Sequence, residues 1–211
     1  MQSDSTSRFD RAAATWDENP HRLAMGRAIA EAIRNAVPTD PAMAAIEIGC
    51  GTGLVTIALC DDLASILAVD TSTEMLNVLR GKVQELQVAN VETLQRDLCA
   101  AEPLDMQADL VYSNMTLHHV RDPAQMVARA AGLLRRGGTL CIVDLDAEDG
   151  SFHPDKTDVE HFGFSADTMQ GLLASAGLGE LSSTVAHTVH RPDAEGVLRA
   201  YPVLATVGRK G

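Results

Sequence analysis

The chain has 211 residues, of which 45% are hydrophobic, and its 29 acidic residues against 17 Lys and Arg give a net charge of −12. A nucleic-acid partner is disfavoured, because such binding depends on clustered Lys and Arg, and an aromatic fraction of 3% offers few surfaces on which bases could stack. The polar N-terminal sequence has no signal pattern, and no apolar run is as long as a membrane span, so we expect a globular cytoplasmic protein.

Apolar spacing predicts a helical segment from Phe9 to Val37, which Pro38 ends. Helices and strands then alternate. The predicted strands are Ala44–Ile48, Ile66–Asp70, Val91–Gln95, Asp109–Ser113 and Thr139–Asp144. Three further helices contain the apolar stripes that begin at Met75, Met126 and Met169, the first with a capping box at Thr71 and Glu74, the second ended by Arg135–Gly138.

This alternation predicts an α/β protein with a mostly parallel sheet and helices on both faces. The stretches Leu181–Val189 and Val197–Val207 have only a short turn between them, which predicts an antiparallel hairpin at the sheet edge. No repeat or linker interrupts the pattern, so we expect residues 1–211 to form a single domain. The four cysteines form no C-x-x-C pair, which favours free thiols over disulfides or a zinc site.

The first strand runs into three glycines at alternate positions, Gly49, Gly51 and Gly53. In a parallel α/β sheet, ligands bind beyond the carboxyl ends of the strands, and glycine there allows positive φ and close approach to the backbone. The dinucleotide fingerprint G-x-G-x-x-G would require glycine where Leu54 stands, and a phosphate-binding P-loop would require Lys followed by Ser or Thr. The turn therefore favours a ligand other than a pyrophosphate.

Polar residues follow three later strands at the same predicted edge. Asp70 ends the second strand about 20 residues on, where a carboxylate can accept hydrogen bonds from ribose hydroxyls. Asp97 and Leu98 follow the third strand, and Asn114 follows the fourth.

The motifs Glu47-Ile48-Gly49-Cys50-Gly51-Thr52-Gly53, Val69-Asp70, Arg96-Asp97-Leu98, Ser113-Asn114 and Leu133–Gly138 together resemble those of class I S-adenosylmethionine (SAM)-dependent methyltransferases. The resemblance covers nearly the whole chain from Phe9 onward. Leu117-His118-His119 after the fourth strand is similar to the small-molecule branch, as in quinone biosynthesis. The resemblance implies a Rossmann-like sheet of seven strands, mostly parallel, with an antiparallel C-terminal hairpin strand.

The resemblance also implies roles for individual residues. The glycine backbone would approach the methionine part of SAM, Asp70 would bind the ribose, Asp97 and Leu98 the adenine, and Asn114 the amino-acid end. The whole implied cofactor site is Glu47, Gly49, Cys50, Gly51, Gly53, Asp70, Thr71, Met75, Asp97, Leu98 and Asn114.

The acceptor side is predicted from residues 145–164, a long loop beyond the fifth strand, and from residues 1–42, which resemble a helical cap. The candidate catalytic residues are His118, His119 and His153, because imidazole exchanges protons near neutral pH. The candidate pocket walls are Trp16, Phe152, His161 and Phe164. Ordinary packing is the alternative for all of them. The acidic and histidine residues of the loop match no standard metal-ligand spacing, so no metal is expected.

The sequence thus predicts an enzyme that transfers a methyl group from SAM to a small molecule, without nucleic acid or membrane as partner. Three alternatives remain: a non-catalytic SAM-binding partner subunit, an NAD(P)-dependent oxidoreductase, and a nucleic-acid or protein methyltransferase, which the acidic charge disfavours. The second would require the glycine that Leu54 replaces, and it does not predict the final hairpin.

Overall fold

A computed structural model describes residues 4–100, 102, 104–193 and 195–211. Within these residues the α-helices are α1 (Asp4–Ala12), α2 (Pro20–Ala36), α3 (Leu54–Leu59), α4 (Thr73–Glu85), α5 (Pro123–Gly132) and α6 (Ala166–Ser175). The seven strands are β1 (Ala44–Ile48), β2 (Ser65–Asp70), β3 (Val91–Gln95), β4 (Ala108–Asn114), β5 (Leu134–Leu145), β6 (Leu178–Pro192) and β7 (Leu198–Lys210). Short 3-10 helices cover Ala13–Glu18, Cys60–Asp62 and Leu117–His119.

The strands form one sheet in the order β3-β2-β1-β4-β5-β7-β6. The first five strands pair in parallel, whereas β7 pairs antiparallel with both β5 and β6. The predicted fold class is confirmed, including the C-terminal hairpin. The strand order reverses at β1, so the carboxyl ends of β1, β2 and β4 meet at the switch point where ligands bind in such sheets.

The core occupies both faces of the sheet. Side chains of a strand alternate between faces, and along β4 Leu110 and Tyr112 belong to one apolar cluster while Val111 belongs to the other. The first cluster includes residues of α2 and α3, and the second includes residues of α5 and α6. No helix in the described part of the chain is both long enough and apolar enough to cross a membrane.

The predicted helical segment Phe9–Val37 is in fact divided. Asn19 is extended, with φ −82° and ψ 111°, and its side chain caps α2 by accepting a hydrogen bond from the His21 N–H at 2.9 Å. Proline disfavours helical backbone in the residue before it, and Pro20 is suited to the first helical turn. The Asn-Pro pair therefore starts a new helix within the apolar pattern.

Two smaller predictions are wrong. The helix stop predicted at Arg135–Gly138 lies within β5, where the register with β4 shifts, because α5 has already ended at Gly132. The residue that caps α4 is Ser72, not Thr71, since the Ser72 hydroxyl accepts the Met75 N–H at 3.1 Å.

Candidate active site

The glycine turn after β1 holds three residues in left-handed backbone. The φ values of Gly49, Gly51 and Gly53 are 71°, 54° and 77°. A Cβ on Gly49 would overlap the Thr116 side chain, and a Cβ on Gly53 would overlap Leu79. A Cβ on Gly51 would meet nothing within 4 Å, so this residue faces open space. Two glycines thus allow packing, and the middle one leaves room beside the backbone.

The Asp70 carboxylate lies next to that open face. Its Oδ2 accepts the Gly51 N–H at 2.7 Å, and its Oδ1 accepts the Ser72 N–H at 2.9 Å. Burial raises the pKa of Asp70 above its usual range. The backbone hydrogen bonds stabilise the ionised carboxylate and so offset part of that rise. Asp70 therefore links the glycine turn to the start of α4 at the carboxyl edge of the sheet.

Glu47 lies behind the turn and is 0% exposed. Its carboxylate accepts hydrogen bonds from the Thr56 hydroxyl, the Tyr112 hydroxyl at 3.0 Å and the Asn114 side-chain amide at 2.8 Å. Burial raises the pKa of Glu47 to about 7. Because this carboxyl is satisfied within the protein, it acts on the site by orienting Asn114, which is half-buried at the end of β4.

Three other cofactor candidates surround the turn. Cys50 is buried, and its thiol lies 3.7 Å from the Gly51 carbonyl oxygen. Burial raises the pKa of Cys50 well above its usual value, so this thiol is an apolar packing group. Thr71 is exposed, whereas Met75 is buried in the first turn of α4.

The Asp97 and Leu98 pair follows β3 as predicted. The Arg96 N–H donates to the Asp70 carbonyl at 2.9 Å, which brings the start of this pair to the end of β2. The Asp97 side chain is exposed and accepts the Cys99 N–H at 2.8 Å. Leu98 is buried in the core, which gives its side chain a packing role.

The N-terminal cap, α1 with the following 3-10 helix, is bound to the glycine turn and to α4. Asp10 accepts the Ser72 hydroxyl at 2.6 Å. Asp17 accepts the Thr52 hydroxyl at 2.7 Å and forms an ion pair with Lys82 at 2.5 Å. These contacts place the cap directly over the predicted cofactor site.

Trp16 lies within the cap between a cation and an aromatic ring. The Arg22 guanidinium carbon lies 3.7 Å from the Trp16 ring centroid, and the Phe9 and Trp16 centroids are 5.8 Å apart. Phe9 also packs edge-on against His119, with the ring centroids 5.2 Å apart. The cap therefore contacts both the cofactor side and the acceptor side of the candidate site.

The three candidate catalytic histidines form one group, the histidine cluster (His118, His119 and His153). Ring centroids are 4.1 Å apart for His118 and His119, 5.1 Å for His118 and His153, and 5.7 Å for His119 and His153. His118 Nδ1 lies 2.6 Å from Oδ1 of Asp144, and both side chains are at most 2% exposed. A carboxylate only accepts, so Nδ1 carries a hydrogen, and the uncharged form of this imidazole has its lone pair on Nε2.

Charge in the cluster is controlled by burial and by neighbouring cations. Burial, followed by the charge of His118, lowers the pKa of His119 to about 4. Burial, followed by the charges of His118 and His119, lowers the pKa of His153 to about 3. The pKa of Asp144 is also low, because the charge and hydrogen bond of His118 outweigh its burial. At neutral pH His119 and His153 are therefore uncharged.

The remaining pocket candidates lie in the loop between β5 and α6, and they have different surroundings there. Phe152 is buried next to the histidine cluster, with its ring centroid 4.8 Å from that of His153 and 5.2 Å from that of Tyr201. Phe164 is 6% exposed and belongs to the apolar core, which is a packing role. The His161 ring packs at a tilt against Phe164, with the centroids 5.2 Å apart, and its Nε2 lies 3.0 Å from the Val120 carbonyl oxygen. The structure thus brings Phe152, but not Phe164, to the cluster.

Sequence reasoning missed several residues of this region. Asp144 is the last residue but one of β5, at the ligand edge of the sheet, and that position was the available signal. The ion pair of Arg8 with Asp158, at 3.4 Å, joins residues 150 positions apart, for which no local pattern exists. Among the described residues, no group of three or more His, Cys, Asp and Glu side chains could hold a metal ion.

The family described as "Methyltransferase domain" matches residues 46–142. Trans-aconitate 2-methyltransferase of Azoarcus sp. is 32% identical over 132 residues, which are 61% of this chain and 50% of that protein. Ubiquinone biosynthesis O-methyltransferase of Xanthomonas campestris is 31% identical over 115 residues, or 53% of this chain and 47% of that protein. Phosphoethanolamine N-methyltransferase 2 of Haemonchus contortus, solved with SAM, shares the fold with a TM-score of 0.69 and 16% identity, covering 86% of this chain and 52% of that one.

The fold and these similarities are those of an α/β methyltransferase domain. Residues 46–142 match the methyltransferase-domain family, and the relatives and structural neighbours of the chain include methyltransferases, which confirms the resemblance found in the sequence. It spans about half the length of the curated relatives it matches, so the activity of the whole protein is a proposal.

Proposed function

We propose that this protein binds SAM at the glycine turn and transfers its methyl group to a small-molecule acceptor enclosed under the N-terminal cap. One observation carries the proposal: the open face of Gly51 adjoins a carboxylate, Asp70, that is fixed to the Gly51 amide. Such a cradle admits a ligand in contact with the backbone and offers its hydroxyl groups a charged acceptor.

The residues present fit SAM. Asp70 would accept the ribose hydroxyls, the backbone around Gly51 would line the methionine part, and Asn114, oriented by Glu47, would face the amino-acid end. SAM supplies a methyl group already activated on a sulfonium. The chain's contribution is then alignment in a closed site, and proximity of this kind lowers barriers by ~7–11 kcal/mol.

The pair of His118 and Asp144 offers a base for an acceptor that arrives protonated. Asp144 fixes the tautomer of His118, which leaves Nε2 to take a proton, as in other histidine-carboxylate pairs. In this proposal Asp144 is a positioning residue, because it acts on the acceptor only through the imidazole.

Two observations support a small-molecule acceptor. The net charge of −12 disfavours a phosphate polymer as substrate. Two relatives are named for trans-aconitate and for ubiquinone biosynthesis, and both names refer to small molecules.

An acceptor screen that measures release of S-adenosylhomocysteine (SAH) tests the proposal. Purified protein with SAM is offered small organic acids, phenols and amines, and in parallel peptides and RNA. We expect turnover with a member of the small-molecule set and none with peptide or RNA. Turnover confined to peptide or RNA would contradict the acceptor class while leaving the cofactor site intact.

A further inference from the structure

Arginine side chains converge on the histidine cluster although the chain has 29 acidic residues and only 17 Lys and Arg. The positive charges of Arg8 and Arg191 both contribute to the lowered pKa of His153. Arg8 also contributes to the lowered pKa of His119 and of Arg22. Compensating negative charge within the protein comes from the carboxylate of Asp158 on Arg8, from that of Asp144 on His118, and from that of Glu148, which accepts the Phe152 N–H at 3.0 Å.

The protein itself supplies only part of that compensation. Arg8 is paired with Asp158. Arg22 donates to the Trp16 carbonyl oxygen at 3.2 Å and stacks on the Trp16 ring. Among the described side chains, no carboxylate lies within ion-pair distance of Arg191, whose guanidinium carbon lies 5.1 Å from the Phe152 ring centroid.

His153 supplies a second unsatisfied group at the same place. Its Nε2 is buried, and no hydrogen-bond partner for it exists within the described residues. Buried polar atoms nearly always have a partner, and leaving one without costs about 1–3 kcal/mol. Phe152 contacts both His153 and Arg191, so the two unsatisfied groups adjoin one aromatic wall.

We propose that the methyl acceptor carries a carboxylate, which binds between the Arg191 guanidinium and Nε2 of His153, with the adjoining part of the acceptor against Phe152. The inference rests on the proposed function and specifies its substrate class. A guanidinium matches a carboxylate with two parallel hydrogen bonds, and the imidazole satisfies its free nitrogen on the same anion. One unpaired guanidinium beside an uncharged imidazole suits a single negative charge, which favours a carboxylate over a phosphate.

The test compares benzoate with benzamide, which has nearly the same shape but no charge. Both are titrated calorimetrically into the protein with and without bound SAH, and phenyl phosphate is titrated in parallel. We expect benzoate to bind at least ~10-fold more tightly than benzamide, the ratio expected for hydrogen bonds to a charged group. Arg191→Gln should remove that preference, and Arg191→Lys should retain part of it.

Arg136→Gln is the matched control, because Arg136 is exposed near the start of β5, away from the carboxyl ends of the strands. Equal binding of benzoate and benzamide, no binding of either, tighter binding of phenyl phosphate, or an unchanged preference in Arg191→Gln would each overturn the inference. If Arg191→Gln does not fold, the ratio of benzoate to benzamide affinity in the wild type still tests the inference. SAH binding is measured in the same samples. An absence of SAH binding would contradict the proposed function, whatever the result with benzoate.

Discussion

Gly51 and Gly53 stand two positions apart in one turn, and both have positive φ, yet the structure gives them different roles. Replacing Gly51 with Ala should cost about 1 kcal/mol of stability through left-handed backbone, because the new Cβ enters open space. The same Cβ should weaken SAM binding about 10-fold or more. Gly53→Ala should instead lower the free energy of unfolding by about 2–4 kcal/mol, because it overlaps Leu79.

Thermal unfolding of these two variants measures the effect on packing, and titration with SAM measures the effect on cofactor binding. A Gly51→Ala protein with unchanged SAM affinity would contradict the assignment of its open face to the cofactor.

Glu47 predicts a pH dependence of stability. A carboxyl whose pKa is raised from 4.5 to about 7 by folding contributes stability that is present below pH 4.5 and lost as the pH rises through about 7. The wild type should therefore lose on the order of 3 kcal/mol over this range, whereas Glu47→Gln should not. Urea unfolding at about pH 5 and about pH 8 measures the difference between the two proteins.

His119 and His153 contribute to stability with the opposite sign, since their pKa values are lowered and their contribution is lost as the pH falls below 6.5. Both histidines are present in the wild type and in Glu47→Gln, so their contribution to the pH dependence cancels when the two proteins are compared. Identical pH profiles for wild type and Glu47→Gln would show that Glu47 is ionised in the folded protein at acidic pH.

The pair of His118 and Asp144 predicts an effect on turnover rather than on cofactor binding. His118→Gln should lower kcat by about 100-fold or more for an acceptor that must lose a proton, with SAM affinity unchanged. Asp144→Asn should lower kcat and alter the pH profile, because the asparagine amide can present either an acceptor or a donor to Nδ1. Equal loss of SAM affinity and kcat in both variants would indicate a structural role instead.

Among the elements, the cap is joined both to the glycine turn and to α4 by one side chain, that of Asp17. Asp17→Asn removes the ion pair with Lys82 and weakens the bond to Thr52. We expect faster hydrogen exchange across residues 7–18 and a red shift in the fluorescence of Trp16, the single tryptophan of the chain. Asp167→Asn, an exposed change in the first turn of α6, is the control; equal exchange rates in both variants would show that Asp17 does not hold the cap.

Helices, strands and turns could be predicted from the sequence where the residues that determine them are neighbours in the chain. The glycine turn, the strand ends and the C-terminal hairpin depend on residues close together in the chain. The division of the N-terminal segment was encoded by Asn19 and Pro20, but the continuing apolar pattern obscured it. Arg135–Gly138 is compatible with both a helix stop and an irregular strand start, and only pairing with β4 distinguishes them.

At the scale of the whole molecule, the acceptor side depends on contacts between distant parts of the chain. Asp144 meets His118 across 26 positions, and Asp158 meets Arg8 across 150. No single-sequence pattern specifies such pairs, which is why the sequence gives a cofactor site but only separate candidates for the acceptor site. The fold brings these candidates together by placing the cap, the end of β4 and the long loop at one edge of the sheet.

The proposed function requires that SAM binds at the open face of the glycine turn. Calorimetric titration of the purified protein with SAM, SAH and NADH tests it most directly, with Asp70→Ala beside an exposed control, Asp105→Ala. We expect micromolar binding of SAM and SAH, no binding of NADH, and a loss of affinity of about 10-fold or more in Asp70→Ala only. Binding of NADH in place of SAM, or full SAM affinity in a folded Asp70→Ala protein, would contradict it.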